Sequence, residues 1–209
     1  MHPALRFACA VLIPLLPAQG ALAQDPAPPG GNLVVNGDFE TGDLRGWTAL
    51  RGEMVLVPAE AAGFAGVDPA ALGAWTVTSA EGPEQEEIGQ DVDLSAHAAE
   101  IDDDILSAGF SALVQTRRAR GLIDHGAVSL VFLDAGGAAL PGGITVRPSP
   151  TQDSVDWTAV DWSGPVPPGA RTARIRFAAE RASGASSDAF ADAFSLVLEE
   201  PSSSAAPLR

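Results

Sequence analysis

Residues 173–177 read Ala-Arg-Ile-Arg-Phe, a strict alternation that puts Ala173, Ile175 and Phe177 on one side of an extended chain and two arginines on the other. That period belongs to a strand with one wet face, and it is the strongest constraint on the fold. A second run, Ala127 to Leu133 (AVSLVFL), is apolar at both parities except at Ser129. It reads as an inner strand covered on both sides, ending at the turn Asp134-Ala135-Gly136-Gly137. Further short strands are expected at Leu33–Asn36, Met54–Val57, Ala74–Thr78, Ile88–Leu94, Gly109–Thr116, Trp157–Trp162 and Phe194–Leu198. Helical periodicity is scarce, and the glycines and Pro69 within Ala59–Gly73 favour a loop over a helical turn. Short alternating segments separated by turn residues predict an all-β fold of two packed antiparallel sheets, a jelly-roll sandwich.

The ends of the chain read differently. Residues 1–23 combine Arg6, the apolar stretch Phe7–Ala18 and the small residues Ala21-Leu22-Ala23, the pattern of a secretory signal peptide cleaved after Ala23. Pro14 and Pro17 interrupt the apolar stretch, which is too short for a retained membrane anchor. The chain is therefore expected to be exported, to the periplasm or beyond. Its one cysteine, Cys9, falls inside this leader, so the exported part would have no thiol for a disulfide, a nucleophile or a zinc site. Residues 24–31 (QDPAPPGG) form a Pro/Gly linker, residues 32–199 the domain, and residues 200–209 a polar tail. A formal net charge of −15 repels a phosphate backbone, which argues against nucleic acid. All 12 basic residues are arginine, so lysine-dependent Schiff-base and P-loop chemistry is excluded.

The most specific stretch is Asn32-Leu33-Val34-Val35-Asn36-Gly37-Asp38-Phe39-Glu40, followed by Gly42 and Gly46-Trp47; it holds both asparagines of the chain. Asn36-Gly37 tolerates positive φ and turns the chain, Phe39 points into the core with Asp38 and Glu40 on the other parity, and Trp47 caps the sandwich. This pattern resembles the opening of galactose-binding-like β-sandwiches, which include many carbohydrate-binding modules. The ending Asp188-Ala189-Phe190-Ala191-Asp192-Ala193-Phe194-Ser195-Leu196 is similar to the last strand of such domains, often an acidic pair followed by Val-Ser-Leu. Gln90–Leu94, Phe132–Asp134, Trp157-Thr158 and Val166–Ala170 also look similar to that group and, distantly, to F-box-associated sugar-binding domains.

The resemblance, which spans about Asn32 to Glu199, implies a calcium ion that ties the first and last strands together. It points to Glu40 and Asp192 as ligands, with Asp38 as a spare; the second acid of the usual pair is replaced here by Ala193. Calcium takes six to eight hard oxygens, which carboxylates and free carbonyls at converging strand ends can supply. Read as residues alone, the same three acids are solvated turn residues. Asp102-Asp103-Asp104 lacks the spacing, Gly and terminal Glu of an EF-hand loop and reads as a solvated turn.

The resemblance also implies a carbohydrate or glycan-bearing surface as partner. Sugars stack their C–H faces on aromatic rings and take planar hydrogen bonds from polar side chains. The chain has no tyrosine; Trp47 and Trp157 read as core, leaving Trp75 and Trp162 as candidate platforms. Arg117, Arg118, Arg120, Asp124 and His125 fall in one expected connection and Arg181–Asp188 in another, and Arg117, Arg181 and Asp188 could form a polar pocket. The competing reading has these arginines neutralising an acidic body, since the 13 acids between Arg51 and Arg117 have no basic neighbour in sequence. The Ser/Ala/Gly-rich loop at the F-box-associated aromatic contacts carries over no glycan specificity. No G-x-S-x-G, H-E-x-x-H or dinucleotide fingerprint occurs, and His97 and His125 read as loop residues, so no enzyme is expected. The alternative to a sugar-binding module is a structural or adhesion-type extracellular protein with a protein partner.

Overall fold

The structure, a computed structural model, describes residues 31–119, 121–149 and 155–200. The expected signal peptide, nearly all of the Pro/Gly linker and all but the first residue of the tail lie outside these residues. Eleven strands run in chain order: β1 (Thr48–Arg51), β2 (Met54–Pro58), β3 (Trp75–Ser79), β4 (Gln85–Asp93), β5 (Ser107–Gln115), β6 (Arg117–Ala119), β7 (Leu122–Leu133), β8 (Ile144–Val146), β9 (Trp157–Pro165), β10 (Thr172–Glu180) and β11 (Phe190–Glu199). They form two antiparallel sheets. One has the order β1-β4-β10-β7-β6, with β8 also on β7; the other has the order β2-β3-β11-β5-β9. Among the described residues, no helix is long and apolar enough to cross a membrane.

The alternation of β10 is realised as expected: Ala173, Ile175 and Phe177 are buried between the sheets, facing Phe39, Phe110, Phe132, Phe194 and Leu196 in one apolar core, while Arg174 and Arg176 stand on the wet face. β7 departs from its expected double cover. It lies inside the sheet with Val128, Leu130 and Phe132 buried, as is Leu133 at its end, but Ala127, Ser129 and Val131 are half-exposed. Its outer neighbours on β10 are Ala178, Arg176 and Arg174, long polar chains beside a small one, which leave that face wet.

Three further expectations change. Leu33–Asn36 forms no regular strand, because its backbone bonds go largely to side chains: Val34 N–H donates to Asn32 Oδ1 (3.0 Å), and Val35 donates to Gln90 Oε1 (2.7 Å) and accepts from Gln90 Nε2 (2.9 Å). Ala59–Gly73 holds two single-turn helices, α1 (Ala59–Ala62) and α2 (Pro69–Leu72). Pro69 starts α2 instead of breaking it, since the first helical position needs no N–H, and Asp68 caps it through Ala70 N–H (3.0 Å). These turns roof part of the outer face of the second sheet, where Ala59, Ala62 and Leu72 pack with Trp157 and Phe190. His97 and Asp102 sit in a short helical stretch, a 3₁₀ turn Ser95–His97 continuing into α3 (Ala98–Asp102). Asp102 there meets Arg171 (2.6 Å) and accepts from Gly169 N–H (3.0 Å).

Candidate functional site

Two places gather polar chemistry. The first is where the chain ends meet. Leu33 N–H donates to the Leu196 carbonyl (2.8 Å), and Asn32 bridges the same segment, with Nδ2 on the Phe194 carbonyl (3.1 Å) and Oδ1 accepting from Leu196 N–H (3.0 Å). Phe194 N–H donates in turn to the Gly37 carbonyl (2.9 Å). β3 pairs with β11 only at Phe190 and Ala191, so the N-terminal segment continues the ladder where β3 leaves it. Gly37 is required by this closeness: a Cβ there would stand 2.1 Å from the Phe194 carbonyl oxygen. Phe39, Trp47 and Phe194 pack ring to ring at 4.9–6.2 Å, and the Trp47 indole donates to the Asn36 carbonyl (3.1 Å).

β11 breaks register between Asp192, opposite Leu113, and Ser195, opposite Ser111. The extra residue is absorbed at Ala193, with φ of 51°, and the bulge sends Phe194 into the core while Asp192 is buried beside the N-terminal turn. Asp192 Oδ1 accepts from Ala193 N–H (2.6 Å); Oδ2 has no hydrogen-bond partner. Burial, reinforced by the nearby carboxylates of Glu40 and Asp38, pushes its pKa up to about 8, against the pull of the Ala193 N–H. Glu40 Oε1 accepts from Ala74 N–H (2.8 Å) and Trp75 N–H (3.0 Å). An orphaned buried carboxylate oxygen beside two more carboxylates suits a hard cation in donor chemistry. Among the described residues, however, no three acidic or histidine side chains form a ready-made ligand shell, so backbone oxygens would have to complete one.

The second place is a groove of about 260 Å³ on the outer face of the six-stranded sheet. Register builds it. The pairs Glu180–His125 and Ala178–Ala127, then Arg176–Ser129, lie side by side on β10 and β7, with Gln85 and Glu87 across on β4. Ala127, Ala178 and Ser129 make a low floor; Arg51, Arg147, Arg176, Glu87 and Glu180 make the walls. Arg176 pairs with Glu87 and Arg147 with Glu180, and Arg51 donates to Gln85. Two buried nitrogens remain without a partner, Arg176 Nε and His125 Nδ1. Along the same strands the face continues past the bidentate Arg174–Asp91 pair (2.6 and 2.7 Å) to a shallower hollow at Asp93, Asp134 and Arg171. The Arg174 guanidinium holds the Asp91 carboxyl below its ordinary range.

The residues singled out from sequence fall into three places. Arg117 pairs with Asp188 (3.2 Å), and Arg181 donates to the Gly184 carbonyl (2.7 Å). Asp124 holds that loop, accepting from Ala182 N–H (2.7 Å) and Asp188 N–H (2.9 Å). Asp124 and Arg181 are the chain neighbours of His125 and Glu180, so this cluster borders one end of the groove. Trp75 sits by Gly42 and Glu40, at the junction of the chain ends. Trp162, on β9, lies between the sheets with its ring 6.3 Å from Phe132 and packs over Gly164. Neither lines the groove. Sequence reasoning missed Arg176, Arg147, Glu87 and Glu180, and had His125 only as a residue of the expected loop. The alternation of β10 already marked Arg176 as wet-faced, and His125 was hidden because β6 and β7 form a hairpin in place of the expected loop.

The fold is a two-sheet antiparallel β-sandwich of the kind seen in carbohydrate-binding modules. Within that class, a family 16 carbohydrate-binding module is 19% identical over 79% of this chain and 99% of its own, with a TM-score of 0.51. The enzymatically active domain of bacteriophage CBA120 tailspike protein 4 is 15% identical with a TM-score of 0.57, over 80% of this chain but only 21% of the tailspike chain. A family 61 carbohydrate-binding module solved with β-1,4-galactotriose is 18% identical over 82% and 99%, with a TM-score of 0.49. No family model and no curated protein matches the sequence.

Proposed function

We propose that this chain is an exported, non-catalytic module that binds carbohydrate in the groove on the outer face of its six-stranded sheet. The observation that carries the reading is the groove itself: a recess with a floor of small residues, walled by Arg–Glu pairs whose planar groups suit bidentate hydrogen bonding to hydroxyls. The fold shared with a family 16 carbohydrate-binding module supports it. Export follows from the leader pattern of residues 1–23. A calcium ion held by Asp192, with Glu40 and Asp38 beside it, would neutralise the buried carboxylate and staple the two chain ends. A glycan array tests the binding claim. Retention on at least one glycan, lost in Arg176→Gln at unchanged melting temperature, is the expected result. No retention on any glycan would favour the structural or adhesion-type alternative, with a protein partner.

A further inference from the structure

Resting on that reading, the groove's own chemistry narrows the ligand: we propose that it selects acidic saccharides, with a uronate-type carboxylate seated on Arg176 and His125. Three observations converge. First, among the described residues no Trp, Tyr or Phe lines the groove, so the broad aromatic platform that usually carries recognition of neutral sugars is not part of this lining. Recognition there has to come from charge and hydrogen bonds.

Second, both wall carboxylates that face solvent are already taken, Glu87 by Arg176 and Glu180 by Arg147. Glu86 turns away to accept from Glu53 N–H (3.1 Å). What remains unmatched is on the donor side. Arg176 Nε is buried without a partner and can only donate; His125 Nδ1, likewise buried and unpartnered, donates when the ring carries a proton there. Arg51, whose guanidinium meets the neutral Gln85, adds a further cation at the rim. A neutral hydroxyl brings a single uncharged oxygen to both donors, whereas a carboxylate offers one oxygen to each, in charge-assisted bonds roughly twice as strong as neutral ones.

Third, the location is at odds with the rest of the chain. A protein with a net charge of −15 repels anions over most of its surface, yet in this recess three arginines balance Glu86, Glu87 and Glu180, with His125 beside them, so the acidic excess of the rest of the chain is locally cancelled. Such a groove discriminates: it admits an anionic unit only where the guanidinium groups compensate, which fixes register along a repeating polymer.

The test is affinity electrophoresis and titration calorimetry of the full chain against polygalacturonate, alginate and hyaluronate, each paired with its carboxyl-reduced form, with galactan and xylan as neutral controls. The expected result is binding to at least one polyuronate, weakened at least tenfold by carboxyl reduction and at least tenfold by Arg176→Gln, with Arg45→Gln, an exposed arginine paired with Asp43 away from the groove lining, as a variant that keeps binding. Equal binding to a native and a carboxyl-reduced polymer, or binding to the neutral polymers alone, would overturn the acidic preference and leave the sugar-binding reading standing. No binding to any polymer would overturn both.

Discussion

The junction of the chain ends and the groove use the same residue types in opposite ways. At the junction Asn32, Asn36 and Gln90 spend their amides on backbone groups of other segments, and the aromatic rings of Phe39, Trp47 and Phe194 close around them. There these amides are consumed by the fold, while among the described residues the buried Asp192 Oδ2 is left without a partner. In the groove the arginines pair only laterally, along one sheet face, and two donors are left over. Satisfied polar networks hold a structure in place, while unsatisfied ones at a recess are where a ligand gains most from binding. The difference predicts that changes at the junction cost stability and spare binding, and that changes in the groove do the reverse.

The sharpest way to break this comparison is Gly37→Ala. Its Cβ collides with the Phe194 backbone carbonyl, and the expected loss is on the order of 4–5 kcal/mol, seen as a large fall in melting temperature or no folded protein. A mild effect would mean that the chain ends are not locked together. Next in size is Asp192. Its folded pKa of about 8 lies above the unfolded value of 3.8, so the native state keeps a proton that the unfolded chain releases. In chelator, stability is therefore present at low pH and declines as pH rises from about 4 to about 8, by a few kcal/mol. Asp192→Asn should flatten that slope, and calcium should raise the melting temperature of the parent but not of the variant. Identical melting curves in chelator and in calcium would remove the ion.

Asn32→Ala should cost about 1–3 kcal/mol in urea unfolding, because the Phe194 carbonyl and the Val34 and Leu196 amides lose their side-chain partner; glycan retention should be unchanged. Arg176→Gln should cost under about 1 kcal/mol, since its pair with Glu87 lies on the wet face of the sheet, while abolishing retention. A stability loss as large as that of Asn32→Ala would place Arg176 among the structural residues. The smallest effect belongs to Asp91→Asn. The carboxyl of Asp91 is held low by Arg174, so the contribution of the pair is present above pH 3.8 and lost as pH falls through the lower folded value. On an exposed face it amounts to a few tenths of a kcal/mol. Acid unfolding below pH 4 would show it as a slight shift.

Much of this molecule was legible in its residues because a strand writes itself locally: the alternation of 173–177, the turn at Asp134 and the burial of Phe39 need no knowledge of neighbours. So did the pairing of the N-terminal motif with the last strand, through the resemblance carried by Asn32–Trp47 and Asp188–Leu196. Three things depended on the assembled sheets. The bulge at Ala193 that buries Asp192 arises from a register shift against β5, and register is a property of two strands. The fate of Trp75 and Trp162 depended on which sheet face each strand turned inward. The groove draws on β1, β4, β7 and β10 and on Arg147 just past β8, segments up to about 125 positions apart in sequence, and no local pattern records which of their side chains become neighbours. Periodicity fixes which side of a strand is wet; only the order and register of strands decide what meets there.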